Sequence, residues 1–249
     1  MSRSTQSSTF AFFGATGGST NAALVLTLKA GYTCSALART PSSLTTMLEK
    51  AGISSSTIES QLRIVEGDIR DVDAVKKTLL FPSGMADVIM SGIGMRLSMN
   101  FKNMDGTVCQ ASTKSYVEAL KSLNLPKKPY IITISTTGIS QGPDDVPFWF
   151  RFMYHQLLHV PHKDKRVMER DVVEGSTGLD AVFDGFTIVR ASLLTDGNEC
   201  GMKKIRAGTE EKPAIGYTIS RLDVGRWIFE TLISREPGIY RNTIPSITY

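Results

Sequence analysis

Short runs of apolar, β-branched and aromatic residues alternate along this chain with longer stretches whose apolar positions recur every three or four residues. The short runs read as strands and the longer ones as helices, and their strict alternation predicts a parallel sheet with crossover helices. The first strand is Thr9–Phe13, followed by a helix through residues 21–30. A second strand over 31–39 is entered by a glycine turn. The next helix starts at Pro41 and stops at Gly52, the usual punctuation of a helix. Strands are then expected over 62–68, 86–94 and 129–138. Between them lie a short helix over 71–80, capped by Asp71, and a long one over 105–123. The near-continuous run "PYIITISTTG" suits a strand buried on both faces.

The rhythm weakens after Gly138. Residues 141–162 carry three prolines, three histidines and a cluster of aromatic residues: Phe148, Trp149, Phe150, Phe152 and Tyr154. A helix over 163–175, a strand over 186–194, a helix over 222–234 and a last strand over 238–245 follow. No repeat or long linker divides the chain. The expectation is one doubly wound α/β domain over 9–249, with a pocket-forming insertion around 141–162 and a loose polar tail at 1–8.

Composition narrows this picture only a little. A chain of 249 residues, 41% hydrophobic and 21% charged, can bury the core of one α/β domain. A net charge of +4 without basic clusters argues against a nucleic-acid partner. The three cysteines (34, 109 and 200) lack metal or disulfide spacing, which suits a reducing compartment. No apolar run reaches the length of a signal core or membrane span, so a cytoplasmic protein without a membrane partner is expected.

The candidate chemistry begins at "GATGGST", where the first strand breaks into a glycine turn ahead of a helix. Gly14 permits the turn, and Gly17 lets the backbone approach a pyrophosphate at the helix N-terminus. The cradle comprises Gly14, Ala15, Thr16, Gly17, Gly18, Ser19 and Thr20. Its spacing is GxxG rather than GxG, and Thr20 stands where a third glycine would fall. Ligands of an open parallel sheet lie over the carboxyl ends of its strands. Arg39 and Thr40, Asp68 and Ile69, and Gly92, Ile93 and Gly94 follow successive strands there. Asp68 either accepts from an adenine amino group or caps the next helix. The second strand ends in "ALARTPSS", with no acid to grip an unmodified ribose. Arg39 offers a forked cation for a 2′-phosphate, so NADP is expected ahead of NAD.

"GATGGST", "ALAR", "VEGDIRD", "DVIMSGIG" and "IITISTTG", in this order, resemble the atypical short-chain dehydrogenase/reductase superfamily. Within it the chain is similar to the NAD(P)-binding, NmrA-like group that includes small flavin and biliverdin reductases. "PHKDKRVMERDV", "FTIVRASLLTDG" and "IGYTISRLDVGRWIFETLI" extend the likeness, especially to fungal members. The resemblance implies a Rossmann-type fold with NADP across the residues named above. It also implies that Ser135 and Thr136 face the nicotinamide half, and that Lys165 lies near the nicotinamide ribose. The Tyr-x-x-x-Lys pair of the larger branch is absent, since Tyr154 is followed at that distance by Leu158.

Thr136, Lys165 and Asp164 are therefore the candidate catalytic residues. Lys165 is expected at the head of a helix, with Asp164 either its N-cap or a group orienting the lysine. Met95, Phe148, Trp149, Phe152 and Tyr154 are the candidate walls of a pocket for an aromatic substrate, and residues 148–160 serve equally as a subunit interface. His155, His159 and His162 lack a third ligand of clear spacing, so no metal is expected. Three functions follow. One is an NADPH-dependent reductase of an aromatic or conjugated acceptor, the second a redox-silent NADP-binding regulator, and the third an isomerase or cyclase using NADP as scaffold.

Overall fold

Every residue of β1 (Thr9–Phe13) is buried. Phe10 and Phe12 enter the core on one face of the sheet, while Ala11 and Phe13 enter a second core on the other. An unbroken apolar run follows from this double burial. The computed structural model describes residues 8–95, 105–148, 159–235 and 238–249. The aromatic residues Trp149, Phe150, Phe152 and Tyr154, and most of the segment 148–160, lie outside the described residues, as does most of the tail.

From β1 the chain runs through α1 (Gly18–Lys29) to β2 (Thr33–Ala38), then through α2 (Pro41–Lys50) and α3 (Ser55–Gln61) to β3 (Leu62–Glu66). It returns across α4 (Val72–Leu79) and a small hairpin, β4 (Leu80–Phe81) with β5 (Gly84–Met85), to β6 (Val88–Ser91) beside β1. α5 (Val108–Leu123), β7 (Tyr130–Thr136), α6 (His159–Gly175) and β8 (Gly185–Ala191) continue outward. β12 (Ser246–Thr248) lies next to β8, and β10 (Arg206–Gly208) closes that edge. The order is β3-β2-β1-β6-β7-β8-β12-β10, parallel throughout except at β10. The expected doubly wound α/β sheet is therefore present.

The direction of winding reverses between β1 and β6. The loops after these two strands diverge at their carboxyl ends and open a crevice there. α1 and α7 (Arg221–Ile228) cover one face of the sheet, with α4, α5 and α6 on the other. Among the described residues, no helix is long and apolar enough to cross a membrane.

Three expectations are corrected in the second half. The strand over 186–194 is broken at Ser192, leaving β8 and a separate β9 (Leu193–Thr195), which pairs in parallel with β11 (Thr218–Ser220). The last strand is Ser246–Thr248, and residues 238–240 form a single 3₁₀ turn instead. α6 is already helical at His159, with Pro161 in its first turn, where a proline's missing N–H is harmless. Lys165 and Asp164 thus sit inside that helix rather than at its head.

Candidate functional site

A cleft of about 860 Å³ opens over the carboxyl ends of β1, β2, β3, β6, β7 and β8. Its floor at the switch point is the turn after β1. Gly14 takes φ +78°, and a Cβ there would lie 2.9 Å from the carbonyl carbon of Gly92. Only glycine suits both the dihedral and the approach. The missing third glycine also has an explanation. A Cβ on Gly92 would fall on the hydroxyl of Thr20, so the close helix–strand contact is made by a threonine on α1 and a glycine after β6. The glycine sits across the interface from its usual place.

α1 begins without a capping side chain. Gly17 makes no side-chain cap bond, and the first turn carries no acid. Ser19 is 6% exposed, and its hydroxyl finds no partner among the described residues. A helix N-terminus with spare N–H donors and an orphaned hydroxyl is a site for an anion. Of the predicted cradle, Gly14, Thr16, Gly17, Gly18, Ser19 and Thr20 line the cleft. Ala15 points into the core, and its carbonyl accepts from Asn21 Nδ2 at 3.0 Å, so it contributes main chain only.

Beyond β2, Arg39 lines the cleft, exposed, and makes no hydrogen bond or ion pair with the described residues. Thr40 lies outside the cleft lining, at the start of α2. Asp68 and Ile69 line the cleft after β3. The Asp68 carboxylate accepts from the Arg70 backbone N–H at 3.0 Å, whereas the cap of α4 is Asp71, as expected from the sequence. Arg70 and Asp105, unmarked in the sequence reading, pair at 2.6 Å along the same wall. Gly92, Ile93, Gly94 and Met95 complete this side.

At the other end lie Ser135 and Thr136 of β7. Ser135 is 4% exposed, and its hydroxyl also lacks a partner among the described residues. Thr136 Oγ1 donates to the Thr137 carbonyl at 3.1 Å. Lys165 reaches in from α6, and its ammonium donates to the carbonyls of Ile93 at 2.8 Å and Ile134 at 2.6 Å. It thereby ties together the ends of β6 and β7. Pro161, which also lines the cleft, precedes Lys165 by four residues. It therefore occupies the place of the tyrosine in a Tyr-x-x-x-Lys pair, and proline has no proton to give.

Asp164 is corrected most sharply. It is 1% exposed, caps neither its own helix nor Lys165, and instead accepts from the backbone N–H groups of Cys109 at 2.8 Å and Gln110 at 2.9 Å. It is the missing cap of α5, whose Thr107 makes no side-chain cap bond. The same burial pushes the Cys109 thiol up to about 11, so that cysteine stays protonated. Phe148 is 71% exposed and outside the cleft lining, so it forms no wall there. His162, 5% exposed, lines the cleft beside Lys165. Its sign in the sequence was weak, because only the helix's earlier start turns it inward.

Behind Ser135, on the same sheet face, Arg190 of β8 forms a two-pronged pair with Glu169 of α6, at 3.0 and 2.6 Å. Asp145 holds the Gly138 N–H at 2.8 Å. Burial, outweighing that bond and the charge of Arg190, pushes its carboxyl above the ordinary range. These groups fix α6 against β8 and the loop after β7.

The chain matches the sequence pattern described as NAD(P)H-binding over residues 14–235. It is 48% identical to "Reductase pytE" of Aspergillus terreus over 97% of this chain and 98% of that protein. It is 39% identical to "Oxidase pynE" of Aspergillus niger, covering 90% and 92% of the two chains. Among solved structures, a short-chain dehydrogenase/reductase from Veillonella parvula in complex with NADP superposes with a TM-score of 0.69 at 17% identity, covering 97% and 94%. That last likeness is one of fold. The protein belongs to the NAD(P)H-binding family.

Proposed function

We propose that the protein is an NADPH-dependent reductase of a planar aromatic or conjugated small molecule. The observation that carries this reading is the pair of orphaned buried hydroxyls, Ser19 at the turn after β1 and Ser135 at the end of β7, in one continuous cleft. A buried hydroxyl without a partner costs about 1–3 kcal/mol, which a ligand that accepts from both would recover. A dinucleotide has polar groups at such separated points. Its diphosphate suits the start of α1, its adenosine half Asp68 and the glycines after β6, and its nicotinamide half Ser135 and Thr136. Arg39, held by no acid, suits the 2′-phosphate that distinguishes NADP. Bound there, the cofactor would supply a hydride.

The chain's own residues orient rather than donate. Lys165 fixes the carbonyls of Ile93 and Ile134, so the loops flanking the nicotinamide end keep their spacing. With proline in the tyrosine's place, acceptors that take a hydride at nitrogen or at a conjugated carbon, and draw a later proton from solvent, suit the site. Met95 offers a soft apolar surface at the rim. The names of the two fungal relatives support an oxidoreductase, and they differ as to direction.

The test is NADPH oxidation, followed by its dihydronicotinamide absorbance, against flavins, quinones and conjugated ketones, alongside a binding titration. Turnover with any acceptor establishes the reductase. Tight binding without turnover across the panel favours the second reading, an NADP-binding regulator, which the replacement of the tyrosine by Pro161 already suits. Arg39→Ala is expected to weaken NADPH about tenfold or more and NADH by less than threefold, since charge-assisted hydrogen bonds are worth about 1.5–3 kcal/mol. Equal losses for the two dinucleotides would remove Arg39 from the 2′-phosphate site.

A further inference from the structure

A third arginine lines the cleft, Arg221, far along the chain from the glycine turn and from Arg39 and Arg70. β9 and β11 pair in register at Thr195 and Ser220, which places the next residues, Asp196 and Arg221, side by side. Arg221 Nη1 donates to Asp196 Oδ1 at 2.7 Å. Its aliphatic stem lies across the first turn of α1, where a Cβ on Gly18 would come within 2.7 Å of its Cδ. Gly18 therefore serves a purpose apart from the turn itself, because it makes room for the arginine.

A cation at a helix N-terminus is misplaced by the helix dipole. That start already carries uncapped N–H donors and the orphaned Ser19 hydroxyl. Among the described residues, the anion paired with Arg221 is Asp196, whose side chain is 89% exposed. A pair so exposed contributes little to stability and is readily exchanged. A diphosphate seated on α1 would offer the guanidinium a forked, charge-assisted partner in place of a solvated carboxylate.

We infer that Arg221 is a clamp on the cofactor's diphosphate, with Asp196 as its partner in the ligand-free protein and its competitor during binding. This rests on the dinucleotide reading above, and it adds a division of labour. Arg39 reads the 2′-phosphate, whereas Arg221 holds the group that NADPH and NADH share. Asp196 sets the affinity of both, since its carboxylate must yield the guanidinium and repels the incoming phosphates.

The experiment is a fluorescence titration of NADPH and of NADH with wild-type protein, Arg221→Gln, Arg221→Lys and Asp196→Asn, with thermal melts of each and inorganic pyrophosphate as competitor. Arg221→Gln is expected to weaken both dinucleotides by a similar factor, about 10- to 100-fold, and to weaken pyrophosphate competition, with Arg221→Lys in between. Asp196→Asn is expected to tighten both by about three- to tenfold. Should Arg221→Gln fail to fold, the Asp196→Asn arm decides alone: tightening supports the clamp and unchanged affinity overturns it. Wild-type affinity in a folded Arg221→Gln protein, or a loss confined to NADPH, also overturns it. If wild-type protein binds neither dinucleotide, the cofactor reading itself has failed, a result distinct from failure of the clamp.

Discussion

The two ends of the cleft are built by different means. At the end proposed for the adenosine half, four groups follow their strands directly: the glycine turn after β1, Arg39 after β2, Asp68 after β3 and Gly92 after β6. At the end proposed for the nicotinamide half, the charged groups are held by partners distant in the chain. Lys165 spans 72 residues to Ile93, Asp164 caps a helix 55 residues earlier, and Arg190 pairs with Glu169 on another element. One end of the cleft thus needs only local turns, whereas the other takes packing between remote segments.

The comparison breaks most readily at Gly14. Gly14→Ala forces a side chain into a left-handed dihedral and against the Gly92 backbone, costing about 1–2 kcal/mol for the first and 1–3 for the second. Dinucleotide affinity is expected to fall about 100-fold or more in a titration, because the diphosphate floor shifts. Among the described residues nothing lies within 4 Å of a Cβ on Gly94, so Gly94→Ala should leave the folded stability within about 0.5 kcal/mol of wild type. Similar melts for the two variants would show that the turn is not rigid.

This contrast also explains what could be read from the letters. β1, α2, the capping of α4 by Asp71 and the parallel order follow from periodicity and turn residues, which are local. The identity of Thr20's neighbour does not, because a missing third glycine looks like a defect until Gly92 is found opposite it. Asp164 reads as a cap, and it is one, but for α5 rather than for α6. No pattern within ten residues of Asp164 carries that information. Arg221 was passed over and His162 was weighed only as a metal ligand for the same reason, since strand pairing and helix phase turn them into the cleft.

The largest effect on stability near the end of β7 falls at Glu169. Both it and Arg190 have side chains under a tenth exposed, so removing one leaves a buried charge. Glu169→Ala is expected to cost about 3–5 kcal/mol in denaturant unfolding, and Glu169→Leu with Arg190→Met to recover much of it. A loss below 1 kcal/mol would mean that the α6–β8 contact is wetter than the burial of the pair implies.

The two aspartate caps give a graded test. Asp71 is exposed and bonds the N–H groups of Asp73 and Ala74 at 3.0 and 3.1 Å, so Asp71→Ala should cost about 1 kcal/mol. Asp164→Ala strands two N–H groups beneath α6, and about 2–3 kcal/mol is expected. Equal costs would erase the distinction between a local cap and one supplied by packing.

The smallest effect is expected in acid, at Asp223 of α7. Burial works to raise its carboxyl. Hydrogen bonds from Tyr249, from the backbone of Cys200 and Gly201 and from Ser220 outweigh this and hold it below the ordinary carboxylate range. A pKa depressed in the folded state means that unfolding takes up a proton in acid. The stabilisation is therefore present above the unfolded value of about 3.9 and is lost as pH falls through the folded one. Tyr249→Phe removes one donor, so the folded value moves up toward the unfolded one and the acid limb of stability against pH flattens. An acid limb as steep as that of wild type would show that the backbone donors alone hold the charge. The loop at 200–201 would then depend on α7 without help from the tyrosine.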